Sequence, residues 1–133
     1  MGQQQLLLII LGTLVVGIAV AGGIILFRGG AVNAARDAVS LDVEELAGRA
    51  QVYYRKPRVM GGGNRSFNKA GGGFIGIYDL TNAPVNQNGT YSISFADADS
   101  IVIRGVGFET VGTDTVTVEA HVSDQNVRTV VIH

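Results

Sequence analysis

The chain has no cysteine, no tryptophan and only two prolines. Without cysteine there is no disulfide framework, no thiolate metal site and no cysteine nucleophile. Net charge is nearly absent as well. Ten Lys and Arg stand against eleven Asp and Glu, leaving −1 at pH 7. A nucleic-acid partner is therefore not expected, because phosphate neutralisation calls for a clustered basic surface. His121 and His133 are the only histidines. Both are read as solvated, since a metal needs further ligands in suitable geometry. Neither a Ser–His–Asp set nor a carboxylate pair stands out. Enzyme is the least favoured class, and no cofactor is expected.

What the sequence does contain is an uncharged run near its start. Leu6 to Phe27 holds one hydroxyl, Thr13, and no ionisable group. Its about 22 residues would span roughly 33 Å as an α-helix, close to the hydrocarbon thickness of a bilayer. A cleavable secretory signal fits less well, because its apolar region runs to about 7–15 residues after a basic start. The start here is Met1-Gly2-Gln3-Gln4-Gln5. The expected face of this segment includes Leu6, Leu7, Leu11, Leu14, Ile24 and Phe27. Gly12, Gly17 and Ala21 interrupt it with small residues, and Gly17 and Ala21 have the four-residue spacing that lets helix backbones approach.

Beyond Gly29-Gly30 the pattern changes. Val32, Ala35, Val39, Val43, Leu46, Ala50 and Tyr53 recur at intervals of three and four, the mark of an amphipathic helix. Glu45 and Arg49 have the spacing of a surface ion pair. Pro57 ends the helix, because the residue before a proline is pushed out of helical geometry. If the glycine pair only bends the chain, one helix covers Gln3 to about Tyr54. If it breaks the chain, two helices result.

Residues 58–73 carry two glycine triplets and are read as a flexible loop. After it the period falls to two. Phe74–Leu80, Thr90–Ala96, Ser100–Glu109, Thr115–Val122 and Val127–His133 are candidate strands of an antiparallel sheet with one wet face. The helical stripe is the expected cover for its buried face, giving an α+β fold. The expected division is a hydrophobic helix over 1–30 and a globular part over 31–133. The latter comprises an amphipathic helix 31–56, the glycine-rich loop 58–73 and the sheet 74–133. Asp97 and Asp99 are read as a turn rather than a calcium site. Asn64 and Asn88 each begin an Asn-X-Ser/Thr triplet, a short pattern for glycosylation.

In this order of elements, LLLIILGTLVVGIAVAGGI after Gly2-Gln3, followed by AARDAVSLDVEELAGRAQVYYRK, resembles the type IV pilins and their pilin-like relatives. The resemblance implies a long N-terminal helix, hydrophobic then amphipathic, packed on a small antiparallel sheet. It further implies processing after Gly2, with Gln3 as the new N-terminus. The usual family glutamate near that terminus corresponds to Leu7, so this would be a divergent member. The implied function is a structural subunit of an extracellular type IV pilus-like filament. Its partners would be itself, the cytoplasmic membrane before assembly and a pilus assembly machinery. Its location would be the membrane first and the cell surface afterwards. Alternatives are a pseudopilin-like component of a secretion or DNA-uptake machine, and a single-span membrane protein with a small β-rich binding domain.

Overall fold

A computed structural model describes residues 2–133. Met1, the first residue of the segment expected to be removed, lies outside them. One helix, α1, runs without a break over Gly2–Arg55, 54 residues, or about 81 Å. The glycines at 22, 23, 29 and 30 stay within it. Each costs about 1 kcal/mol of helix propensity, but the large aliphatic and alanine neighbours on both sides are good helix formers. Pro57 follows the last turn, as expected. A short 3-10 turn, Arg58–Met60, closes on Gly61, whose φ of 80° is the left-handed conformation glycine adopts without strain.

The sheet has four strands in the order β1-β2-β3-β4, all antiparallel. They are β1 Gly89–Ala96, β2 Ser100–Val111, β3 Asp114–Ser123 and β4 Val127–Val131. The fold is the α+β layout expected from the periodicities: a long N-terminal helix laid across a small antiparallel sheet. Gly112 opens the two-residue β2–β3 turn at φ 66°, the positive φ that tight hairpin turns require.

Helix and sheet meet along one face. Val39, Val43, Leu46, Ala47, Ala50 and Tyr54 are buried on α1, and Ile101, Ile103, Val118, Ala120 and Val122 on the sheet. At Gly105 the two approach closely. A Cβ there would lie 2.6 Å from Val43 Cγ2 and 2.8 Å from Val39 Cγ1.

Four sequence expectations are corrected. Phe74–Leu80 is not a strand. Ile75 is buried, and Ile77–Leu80 is a short helix, α2. Asp79 Oδ2 accepts a hydrogen bond from Gly76 N at 2.7 Å, satisfying a donor that a strand would have paired across a ladder. The loop 58–73 is not merely flexible. Phe67 is fully buried within it and stacks obliquely on Tyr54 at 5.0 Å. Its N–H donates to Ala98 O at 2.8 Å, tying the loop to the β1–β2 turn. In Thr90–Ala96 the alternation sets Tyr91, Ile93 and Phe95 against polar residues as one face, but Phe95 does not share the buried face of Tyr91. A register shift between Ile93 and Phe95 makes Ser94 an extra residue, so Phe95 turns to solvent and Ala96 takes the inner position opposite Ile101. The helical stripe is also displaced. Tyr54 rather than Tyr53 is its buried end, and Val32 and Ala35 are only partly covered, lying N-terminal to Val39, on which Gly107 packs.

Candidate functional site

The first half of α1 has no partner within the molecule. It is long and apolar enough to cross a membrane, and none of its most apolar window is buried. Leu6, Leu7, Leu11, Leu14, Ile24 and Phe27 are each more than half exposed. A Cβ placed on Gly12 or Gly17 would meet nothing within 4 Å, and Ala21 is equally open. Gly2 and Gln3 form the first, exposed turn. The one polar side chain midway, Thr13, returns its hydroxyl to Ile9 O and Ile10 O at 3.1 and 2.8 Å. No side-chain donor therefore remains free in the middle of the segment. Leaving such a surface in water is costly: each large aliphatic side chain gains roughly 1.5–3 kcal/mol when buried.

The second half of α1 is anchored by a polar latch that the sequence did not reveal. Asp42 Oδ2 accepts three hydrogen bonds, from Tyr91 Oη at 2.5 Å, Asn88 Nδ2 at 2.8 Å and Asn86 Nδ2 at 2.9 Å. The three donors lie more than forty residues away in sequence, and only the docking of β1 beneath α1 brings them together. Partial burial disfavours the Asp42 carboxylate, but the Tyr91, Asn88 and Asn86 donors outweigh it and hold its pKa below the ordinary 3.8. Burial, reinforced by the neighbouring carboxylate, pushes the Tyr91 phenol above its ordinary 10. Next to the latch, Arg49 pairs with Glu45 at 2.6 Å and donates to Leu80 O at 3.0 Å. The expected Glu45–Arg49 surface pair thus also ties α2 to α1.

The remaining candidate residues are scattered. Asn64 is exposed at φ 52° beyond the end of α1. Asn88 is exposed as well, but its amide nitrogen is engaged by Asp42. His121 lies 3.9 Å from Glu119, and His133 lies 3.9 Å from Asp114 at the far end of the sheet. Among the described residues no group of three His, Cys, Asp or Glu is placed to hold a metal ion. The recess beside the latch, lined by Asp42, Glu45, Arg49, Thr81 and Tyr91, encloses about 170 Å³. Its polar groups are largely engaged with one another.

No protein-family model, curated protein or solved structure matches the chain. Its class is therefore defined by the fold alone: an α+β protein carrying an unpartnered apolar helix long enough to span a bilayer.

Proposed function

We propose that this chain is a structural subunit of a pilin-like extracellular filament, held by a membrane before assembly and by copies of itself afterwards. The observation that carries the proposal is the exposed apolar half of α1, rigidly continuous with a helix whose other half is docked on the sheet. In the membrane, Leu6–Phe27 lies among lipid tails. In the filament the same side chains pack against the same segment of neighbouring copies. Exchanging one apolar environment for another avoids exposing the segment to water, so extraction needs only the work an assembly machine supplies. A heterologous contact whose rotation does not close generates a helical polymer, with the sheet domains outermost. In this role the chain has no catalytic activity. Leu7 leaves the terminus without the carboxylate usual in pilins, so packing along α1 must set the register.

The test is to shear cells and fractionate the product. The protein is expected in a filament fraction visible by electron microscopy, with an N-terminus at Gln3 by mass spectrometry. Recovery only from membranes, as a monomer in detergent and never as a polymer, would overturn the proposal in favour of a single-span membrane protein.

A further inference from the structure

The near-zero net charge conceals a segregation of charge along the chain. Leu46 to Tyr78 holds six of the ten Lys and Arg and none of the eleven Asp and Glu. Two of the six are paired, Arg49 with Glu45 and Lys69 with Asp79. The other four, Arg55, Lys56, Arg58 and Arg65, are exposed, and among the described residues they have no ion-pair partner. They gather where α1 ends, because the chain after Pro57 folds back on the last helical turn. Gly63 N donates to Tyr53 O at 2.8 Å, Asn64 N to Lys56 O at 2.9 Å and Arg65 N to Tyr54 O at 2.6 Å. Arg55 and Arg65 line one recess, in which Asp124 is the one acid. In the chain between Arg58 and Arg65, the 3-10 turn holds out Val59, 98% exposed, and Met60, 67% exposed. Backbone hydrogen bonds fix this turn: Met60 N and Gly62 N donate to Pro57 O at 3.0 and 3.1 Å, and Gly61 N to Arg58 O at 2.9 Å. The apolar pair is therefore held in water rather than left free to fold under.

We infer that this end of the domain docks on the surface of a second, anionic phospholipid bilayer, with Val59 and Met60 entering the headgroup boundary and Arg55, Lys56, Arg58 and Arg65 against lipid phosphates. Charge and shape select the partner together. Four cations alone would take any polyanion. An aliphatic apex gains little from a nucleic acid, whose bases stack on aromatic rings. Apolar side chains beside Lys and Arg are the combination that binds a lipid interface, through partial burial at the acyl boundary plus attraction to anionic headgroups. The bilayer that holds the anchor is out of reach. Arg55 lies 28 positions after Phe27 on unbroken α1, about 42 Å along the helix. Even at a tilt of about 40°, the upper end for a membrane span, it stands about 32 Å above the end of the apolar segment. One end of α1 is therefore built for one bilayer, and the other end faces away from it. The inference needs Leu6–Phe27 as a membrane anchor and does not depend on polymerisation.

The test embeds the full chain in phosphatidylcholine discs ringed by a scaffold protein and mixes them with separate vesicles. Flotation of the scaffold with the vesicles reads docking, and it is not mimicked by transfer of the chain alone from disc to vesicle. Discs carrying the chain are expected to float with vesicles containing one third phosphatidylglycerol and not with vesicles of pure phosphatidylcholine. Empty discs should float with neither. Raising salt from about 0.1 to 1 M shortens the screening length from about 10 to 3 Å and should weaken docking at least tenfold. Each cation at an anionic surface contributes about fivefold, so Arg55→Gln with Arg58→Gln should lower the apparent affinity at least tenfold. Val59→Ser with Met60→Ser changes two exposed positions and no charge, and should also lower it at least tenfold. Docking that is absent, or equal on neutral vesicles, overturns the inference. Docking that survives Val59→Ser with Met60→Ser undiminished, and is competed away by soluble polyphosphate, also overturns it and leaves a plain anion site. Shearing of cells is read separately. Docking without filaments overturns only the filament proposal, and filaments without docking overturn only this inference.

Discussion

Gly105→Ala tests whether helix and sheet are held as closely as described. The new Cβ would lie 2.6 Å from Val43 Cγ2, 2.8 Å from Val39 Cγ1 and 3.0 Å from Tyr91 Cε1. Comfortable carbon–carbon separations are about 3.5–4.0 Å, so the surroundings must yield by close to 1 Å. Val39 and Val43 are fully buried, and valine in a helix keeps essentially one rotamer. Neither methyl can swing aside, so α1 itself must lift from β2. Overpacking of this kind costs about 1–3 kcal/mol. Removing glycine from a strand returns about 0.5–1 kcal/mol by reducing the entropy of the unfolded chain. The net loss centres on about 1 kcal/mol, within roughly 0–2.5. In urea, with a slope of about 1–3 kcal/mol per molar, a loss of about 1 kcal/mol lowers the midpoint of the full chain in detergent by about 0.3–1 M. Gly48→Ala, in open space on the same helix, should raise stability by up to about 1 kcal/mol. If Gly105→Ala is as stable as the parent, the close approach of α1 to β2 is wrong.

Three other outcomes are expected. Phe67→Ala should cost about 3–5 kcal/mol, as full burial of a core aromatic implies; a loss under about 1 kcal/mol in thermal unfolding would return residues 58–73 to the status of a free loop. Asp42 has a folded pKa below its ordinary value, so its contribution is complete above the unfolded pKa near 3.8 and is lost as pH falls through the folded one. Tyr91→Phe removes the shortest of its hydrogen bonds and should destabilise by about 1–2 kcal/mol at neutral pH. Most of that difference should vanish in strong acid, and an identical loss at both ends of the pH range would argue against the latch. Leu14→Asp places a carboxylate in mid-segment, where insertion scales assign about 2.5–3.5 kcal/mol. Membrane retention after alkaline extraction should fall sharply while the circular dichroism of the sheet persists; unchanged retention would count against Leu6–Phe27 as the anchor.

The sequence by itself determined the order and kind of the main elements. An uncharged run of bilayer length, a period of 3.6 from Val32 to Tyr53 and a period of two afterwards specify helix, stripe and sheet through local geometry alone. Pro57 marks the end of the helix because its backbone preference acts within a residue or two. The tertiary structure decided what depends on distant partners. Whether Gly29-Gly30 breaks α1 is a balance of small propensities, and the helix stays continuous. Ile77–Leu80 alternates well enough for a strand, yet no neighbouring strand pairs with it, and Asp79 caps a helix there instead. Phe95 faces outward because β1 and β2 shift register at Ser94, which no property of β1 alone fixes. Phe67 is core because the β1–β2 turn closes over it. The Asp42 latch joins residues more than forty positions apart, so its three hydrogen bonds have no local signature. The opening run of apolar residues was legible at once; that nothing in its own molecule covers it, and that the opposite face of the same helix is left bare at Leu41 and Val52, only the folded chain decides.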